Sequence, residues 1–211
     1  MAATLVSFPA EVSVSKTMTR KLFVLLMVFC AFASAQEIPS DSLRKPNWNK
    51  GVWVGGGTGL GEEGDGFQFV NAGFRLSRVL MRERGSGRFR GTLEYGFDVI
   101  PLYPVHFDRW VYGGGMNPVV LKWNFTSGKR IVPYGELSAG FLIHAENIPP
   151  GDTSQVNFIE GIGGGFQVFR NPKHAWYLGA KVFHMSNASL GRTNPGVNTS
   201  LQFTMGYTWF K

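Results

Sequence analysis

Beyond residue 50 the chain alternates hydrophobic and polar positions with a period of two, the signature of half-buried strands. Such runs cover about 50–61, 66–80, 87–101, 108–116, 118–126, 131–144, 155–170, 174–186 and 198–210, separated by clusters of Gly, Pro, Asn and Asp. Gly113-Gly114-Gly115 and Pro118 lie where a single strand would kink or bulge, so 108–126 reads as one strand. Eight strands result, the smallest number that closes a transmembrane barrel. No stretch in this part is long and apolar enough for a membrane helix.

The two faces of each strand indicate which side meets lipid. In the third run Phe89, Gly91, Leu93, Tyr95, Phe97 and Val99 share one parity, and Arg90, Thr92, Glu94 and Asp98 share the other. In the last run Phe203, Met205, Tyr207 and Trp209 alternate with Gln202, Thr204, Gly206 and Thr208. An apolar, aromatic outer face over a charged inner face is the pattern of an outer-membrane barrel, whose closure satisfies every backbone polar group. The expected fold is all-β, an eight-stranded antiparallel transmembrane β-barrel over residues 36–211. Arg90, Glu94, Asp98 and Glu136 then fill the lumen, and His144 falls at a strand end. Trp53, Trp110, Trp123, Trp176 and Trp209 form interfacial belts. Gly51-Val52-Trp53 matches the Gly-x-Trp near the start of lipocalins, but a soluble barrel of that type lines its interior with apolar residues.

The N-terminus adds a compartment. Lys16, Arg20 and Lys21 precede the apolar run 22–32, followed by Ala33-Ser34-Ala35. A basic region, a short apolar core and an A-x-A site together make a secretory signal peptide over residues 1–35, with Met18 an alternative start. Cys30, the single cysteine, lies inside it, so the mature chain carries no disulfide and no thiol chemistry. Lys and Arg exceed Asp and Glu by 21 to 14, which suits an anionic surface such as lipopolysaccharide phosphates. No nucleic-acid motif is present. The runs Gly55–Gly57 and Gly163–Gly165 are not followed by the Lys-Ser/Thr of a phosphate loop, and no spacing suggests a metal site.

Candidate chemistry is concentrated at 183–198. His184 and Ser186 are two residues apart, hence on one strand face, where a histidine can serve as general base to a serine hydroxyl. Asn187 adds an amide donor where an oxyanion would need one. Asn194-Pro195-Gly196 is a turn signature that brings Asn198 back beside the pair. Lys181 belongs to the opposite face with Tyr177 and Phe183, which puts Trp176, Leu178, Ala180, Val182, His184 and Ser186 on the lipid side. A His–Ser pair there is poorly explained by packing, since ionisable residues at membrane depth are functional candidates by default.

His184-x-Ser186-Asn187-Ala188, with Asn194-Pro195-Gly196 and a C-terminal strand after it, resembles the lipid A 3-O-deacylases (PagL type) of Gram-negative outer membranes. Pro133-Tyr134-x-Glu136 and Asn117-Pro118 are similar to that family too. The resemblance implies hydrolysis of the primary acyl ester at the 3-position of lipid A, with no metal or other cofactor. Ser186 would be the nucleophile, His184 the general base and Asn187 an oxyanion contributor. Family members carry a glutamate as third catalytic residue; by spacing that position is Asn198. An amide can orient a histidine ring but brings no charge. Asn198 is also off the row of Phe203–Trp209 unless a bulge intervenes near Gly196, Thr199 has the right parity, and Glu160 is the carboxylate that could substitute. The expected location is the cell outer membrane, with the site facing the outer leaflet. The expected partners are lipid A or lipopolysaccharide as substrate and outer-membrane lipids, with no nucleic acid and a homodimer left open. The rival reading is a non-enzymatic small barrel with a structural or anchoring role.

Overall fold

The computed structural model describes residues 41–61, 66–127 and 130–211, the side chains of Asp41, Val197 and Asn198 excepted. The expected signal segment lies outside them. A short helix, Asp41–Arg44, leads into ten strands: β1 (Asn47–Gly59), β2 (Gln68–Val79), β3 (Gly91–Leu102), β4 (Val105–His106), β5 (Trp110–Val111), β6 (Gly113–Phe125), β7 (Ile131–Ile148), β8 (Ser154–Asn171), β9 (His174–Ser186) and β10 (Val197–Phe210). The eight long strands pair antiparallel with their neighbours, and β1 pairs with both β2 and β10. The sheet is therefore a closed eight-stranded barrel, and β4 and β5 form a small hairpin appended to β2.

Among the boundaries that differ from the sequence reading, two change which residues enter the barrel wall. The kink expected in 108–126 is present as a register shift between Met116 and Val119, but the strand proper begins at Gly113 and Trp110–Val111 belongs to the appended hairpin. The third barrel strand begins at Gly91, not at 87, because Gly85 and Gly87 adopt left-handed backbone angles (φ 82° and 57°) and turn the chain. Phe89 therefore sits exposed in a 3-10 turn, and Arg90 pairs with Glu83 at 3.4 Å on the rim instead of entering the lumen.

The interior is filled in three layers. At mid-height Arg75 binds Asp98 through two N–H donors (2.6 and 2.8 Å) and Glu136 at 2.5 Å. Beside it Glu94 accepts from Ser77, Asn49 and Asn124 and lies 3.7 Å from the Lys122 ammonium. That ammonium also stands over the rings of Tyr134 and Tyr177. A cavity of about 20 Å³ among Arg75, Glu136 and Lys181 has room for a single water. The charged lumen expected from β3 thus holds for Glu94 and Asp98, and Glu136 of β7 joins them there as expected.

Above and below this layer the interior is apolar, which the alternation did not reveal. Leu43, Val79, Val132, Phe169, Ala175 and Phe210 pack together at the end that carries both strand termini. At the far end Phe67, Phe69, Tyr103, Leu142, Ile148, Phe183 and Met185 form an aromatic-rich plug. Trp53 is buried inside with the plug residues and is not a belt residue; Gly73 leaves the space its ring occupies. His144, near the end of β7, is buried edge-on against Tyr103.

The outer surface is an apolar belt that includes Val54, Phe74, Leu76, Leu137, Ile162, Phe166, Phe203 and Met205, all about half exposed or more. Trp176, Tyr207 and Trp209 stack edge to face near the terminal end, as an interfacial girdle does. Arg44, Arg78, Arg82, Arg84, Arg88 and Lys173 lie on or beside the rim of this same end. The basic excess expected to meet lipopolysaccharide phosphates is therefore concentrated away from residues 184–198. Connections at the far end are 60–67, 103–112, 149–153 and 187–196; those at the terminal end are 80–90, 126–130 and 172–173.

Candidate active site

His184 and Ser186 are the last two outward positions of β9. Trp176 and Val182 on the same parity are exposed, whereas Tyr177, Phe183 and Met185 on the other are buried in the interior. Two residues of strand advance the chain by about 7 Å, which leaves the imidazole and the hydroxyl side by side on the outer wall. Both are half-buried.

On one flank, β8 sets Glu160 directly opposite His184 and Phe158 opposite Ser186. On the other flank, β10 carries a bulge. Val197 pairs with Met185 and Ser200 with Phe183, so Asn198 and Thr199 together oppose His184. The extra residue overcomes the parity objection to Asn198, since a bulge places two residues against one and re-aims the strand. The backbone thus brings His184, Ser186, Asn198, Thr199 and Glu160 into one patch. Glu160, His184 and Thr199 line a groove with Val119, Leu137, Ala139, Ile162 and Val182 on the outer surface.

Asn187 is placed differently from the expectation of a side-chain oxyanion donor. It falls on the inward parity and is buried. Its Nδ2 donates to the Thr193 carbonyl at 2.8 Å and its Oδ1 accepts from the Ser189 N–H at 2.9 Å. Its backbone N–H donates to Asn194 Oδ1 at 3.0 Å, and its carbonyl accepts from Leu190 N–H at 3.0 Å. The side chain is committed to folding the 187–194 loop back on itself. Thr193 N–H ties the loop to the Asp152 carbonyl of the neighbouring connection at 2.9 Å.

The loop is also strained. Ala188 and Ser189 adopt left-handed angles (φ 49° and 64°), which non-glycine residues rarely do. Each such residue costs about 1–3 kcal/mol, and such strain clusters at functional sites. Sequence reasoning missed this feature, because neither residue type announces a left-handed backbone. The Asn187–Asn194 pair that enforces it was visible only as a turn signature.

A family model described as lipid A 3-O-deacylase (PagL) matches residues 70–208. Among solved structures, the crystal structure of the outer membrane enzyme PagL is similar, with 17% identity and a TM-score of 0.51, covering 75% of this chain and 98% of that one. Neisserial surface protein A (NspA) follows at 12% identity and a TM-score of 0.46, covering 77% and 96%. The N-terminal β-barrel domain of Pseudomonas aeruginosa OprF matches at 10% identity and a TM-score of 0.44, covering 79% and 100%. No curated protein matches the chain in sequence. The structural likeness speaks for the barrel alone, but the family match spans about two thirds of the 211 residues and includes His184, Ser186 and the bulge. The chain belongs to the lipid A 3-O-deacylase (PagL) family and is an outer-membrane β-barrel of the hydrolase class, acting on lipid A.

Proposed function

We propose that the protein hydrolyses the primary acyl ester at the 3-position of lipid A by a Ser186/His184 mechanism, on the outer wall of the barrel and within the outer leaflet. The observation that carries this reading is the outward placement of His184 and Ser186 at the end of an otherwise apolar face. A lipid lying against β8–β10 would bring its ester to the pair without leaving the membrane.

In this reading His184 takes the proton of Ser186 as Oγ attacks the ester carbonyl carbon. The resulting oxyanion is met by the backbone N–H of Ala188 in the strained loop. Among residues 187–190, the amides of Asn187, Ser189 and Leu190 donate within the loop, whereas that of Ala188 has no acceptor among the described residues. Asn187 supports the oxyanion by holding this turn. Collapse of the intermediate expels the sugar oxygen at position 3, which receives the proton from His184. A water activated by the same imidazole then releases the fatty acid and restores Ser186. Asn198, delivered by the bulge, orients the His184 ring. The far end of the barrel, with loop 187–196, faces the cell exterior.

Mass spectrometry of lipid A from cells carrying the wild type or Ser186→Ala tests the reading. Loss of one 3-position acyl chain with the wild type and an intact lipid with the variant is the expected result. An anchoring barrel without activity, the reading that the amide at 198 favours, predicts identical lipid A in both. Surface labelling of Arg192→Cys in intact cells tests the topology; labelling only after the outer membrane is breached would contradict it.

A further inference from the structure

Glu160 is the unexplained residue of the outer wall. It is an exposed carboxylate in the body of β8, not at its end, and it lies on the apolar outward face. Along its own strand the outward neighbours on either side are Phe158 and Ile162, both exposed to the bilayer side. Across the sheet it stands between Ala139 of β7 and His184 of β9. Among the described residues no hydrogen bond or ion pair involves it. A carboxylate on the lipid face of a barrel is destabilising where nothing compensates it, and packing gives no reason for one here.

We infer that Glu160 is a positioning residue for His184, supplying from the preceding strand the negative charge that Asn198 on the following strand lacks. This inference rests on the Ser186/His184 reading above. Directly opposed residues of antiparallel strands have Cβ atoms about 4.5–5.5 Å apart. A rotamer change alone, with no backbone movement, therefore brings a Glu160 oxygen to the imidazole. When His184 accepts the Ser186 proton it becomes an imidazolium at the edge of hydrocarbon, where an uncompensated charge is costly. A carboxylate in register with it offsets that charge in the transition state and leaves substrate binding alone. His184 is then flanked by two different helpers: an amide from the β10 bulge that orients the ring, and a carboxylate from β8 that balances its charge.

The test uses the full-length barrel in detergent micelles with purified lipid A, and the labelling rate of Ser186 by a fluorophosphonate as a second readout independent of lipid binding. Glu160→Gln is nearly isosteric and is expected to lower kcat by about tenfold or more, with KM within about twofold of wild type. The fluorophosphonate rate should fall in parallel, while the heat-induced gel shift that reports the folded barrel stays unchanged. Glu160→Asp should retain part of the rate. Glu160→Gln combined with Asn198→Glu should recover most of it, by moving the charge to the other flank of His184. A Glu160→Gln enzyme with wild-type kcat and labelling rate overturns the inference, as does a loss that shows in KM or in the gel shift but not in kcat. Failure of the underlying reading is distinct: Ser186→Ala would then still hydrolyse the ester.

Discussion

The outer walls of β1–β3 and of β8–β10 curve around the same filled interior, yet only the second sets a carboxylate, an imidazole and hydroxyls among its apolar side chains. On β1–β3 the outward positions between the strand ends include Val52, Val54, Val70, Phe74, Leu76, Tyr95 and Val99, and the charged Lys50 and Arg78 stay near the terminal end. On β8–β10 the corresponding row is broken by Glu160, His184, Ser186 and Thr199, set among Ile162 and Val182. The interior behind both walls is close-packed, so the polar residues of the second wall are not overflow from the lumen. In the function proposed above, they face outward because the substrate lies outside the barrel wall. A ladder irregularity alone does not separate the two walls: the β2–β3 pairing shifts register between Ala72 and Phe74, as the β10–β9 pairing does at 198–199.

The largest expected effect breaks the contrast at its centre. Ser186→Ala and His184→Ala should each lower deacylation by at least about 10³-fold while leaving the barrel folded, because hydroxyl and base act as a unit. Purified variants assayed on lipid A by mass spectrometry check this, and wild-type turnover by Ser186→Ala would return the wall to a structural role. Next comes the interior that both walls share. Arg75→Leu leaves Asp98 and Glu136 without their cation and should destabilise the barrel by about 3–5 kcal/mol, read from urea unfolding in vesicles. Smaller is the cost of charging the inert wall. Val54→Arg should cost about 2–4 kcal/mol in the same assay if that side faces mid-bilayer, falling towards zero if it lies at the interface.

The barrel was legible in the sequence because lipid-facing and lumen-facing residues alternate in strands such as β10 from Thr199 onward. What remained illegible was anything that requires height along the barrel. Alternation says that Trp53 and Glu94 both face one side or the other, but not that Trp53 joins an apolar plug while Glu94 joins a polar network. Phe89 and Arg90 fit the period of β3 and yet precede it, since the glycines at 85 and 87 end the pattern sooner than hydrophobicity does. At the site, the spacing of His184 and Ser186 gave their shared face directly. Asn198 could not be placed from spacing, because its position depends on one extra residue in the ladder. The opposition of Glu160 and His184 depends on register between strands, which no local pattern encodes.

The smallest expected effect refines the contrast between the two flanks of His184. Asn198→Ala should slow hydrolysis by about tenfold, roughly 1.4 kcal/mol of barrier, visibly less than loss of the pair. Asn198→Glu should retain or raise the rate. Steady-state kinetics on one lipid A preparation decides it, and an Asn198→Ala enzyme as inactive as His184→Ala would make the amide a full third member.

The filled interior has a consequence for how such an enzyme is measured. With aromatic packing at one end, apolar packing at the other and room for one water between, nothing as large as a fatty chain passes through the middle. With the proposed site on the outer wall, substrate would arrive and product leave sideways, which makes the encounter two-dimensional. The quantity that saturates the enzyme is then the mole fraction of substrate in the leaflet. Diluting lipid A with inert phospholipid at constant bulk concentration should slow the reaction, and diluting the whole suspension with buffer should leave turnover per barrel unchanged.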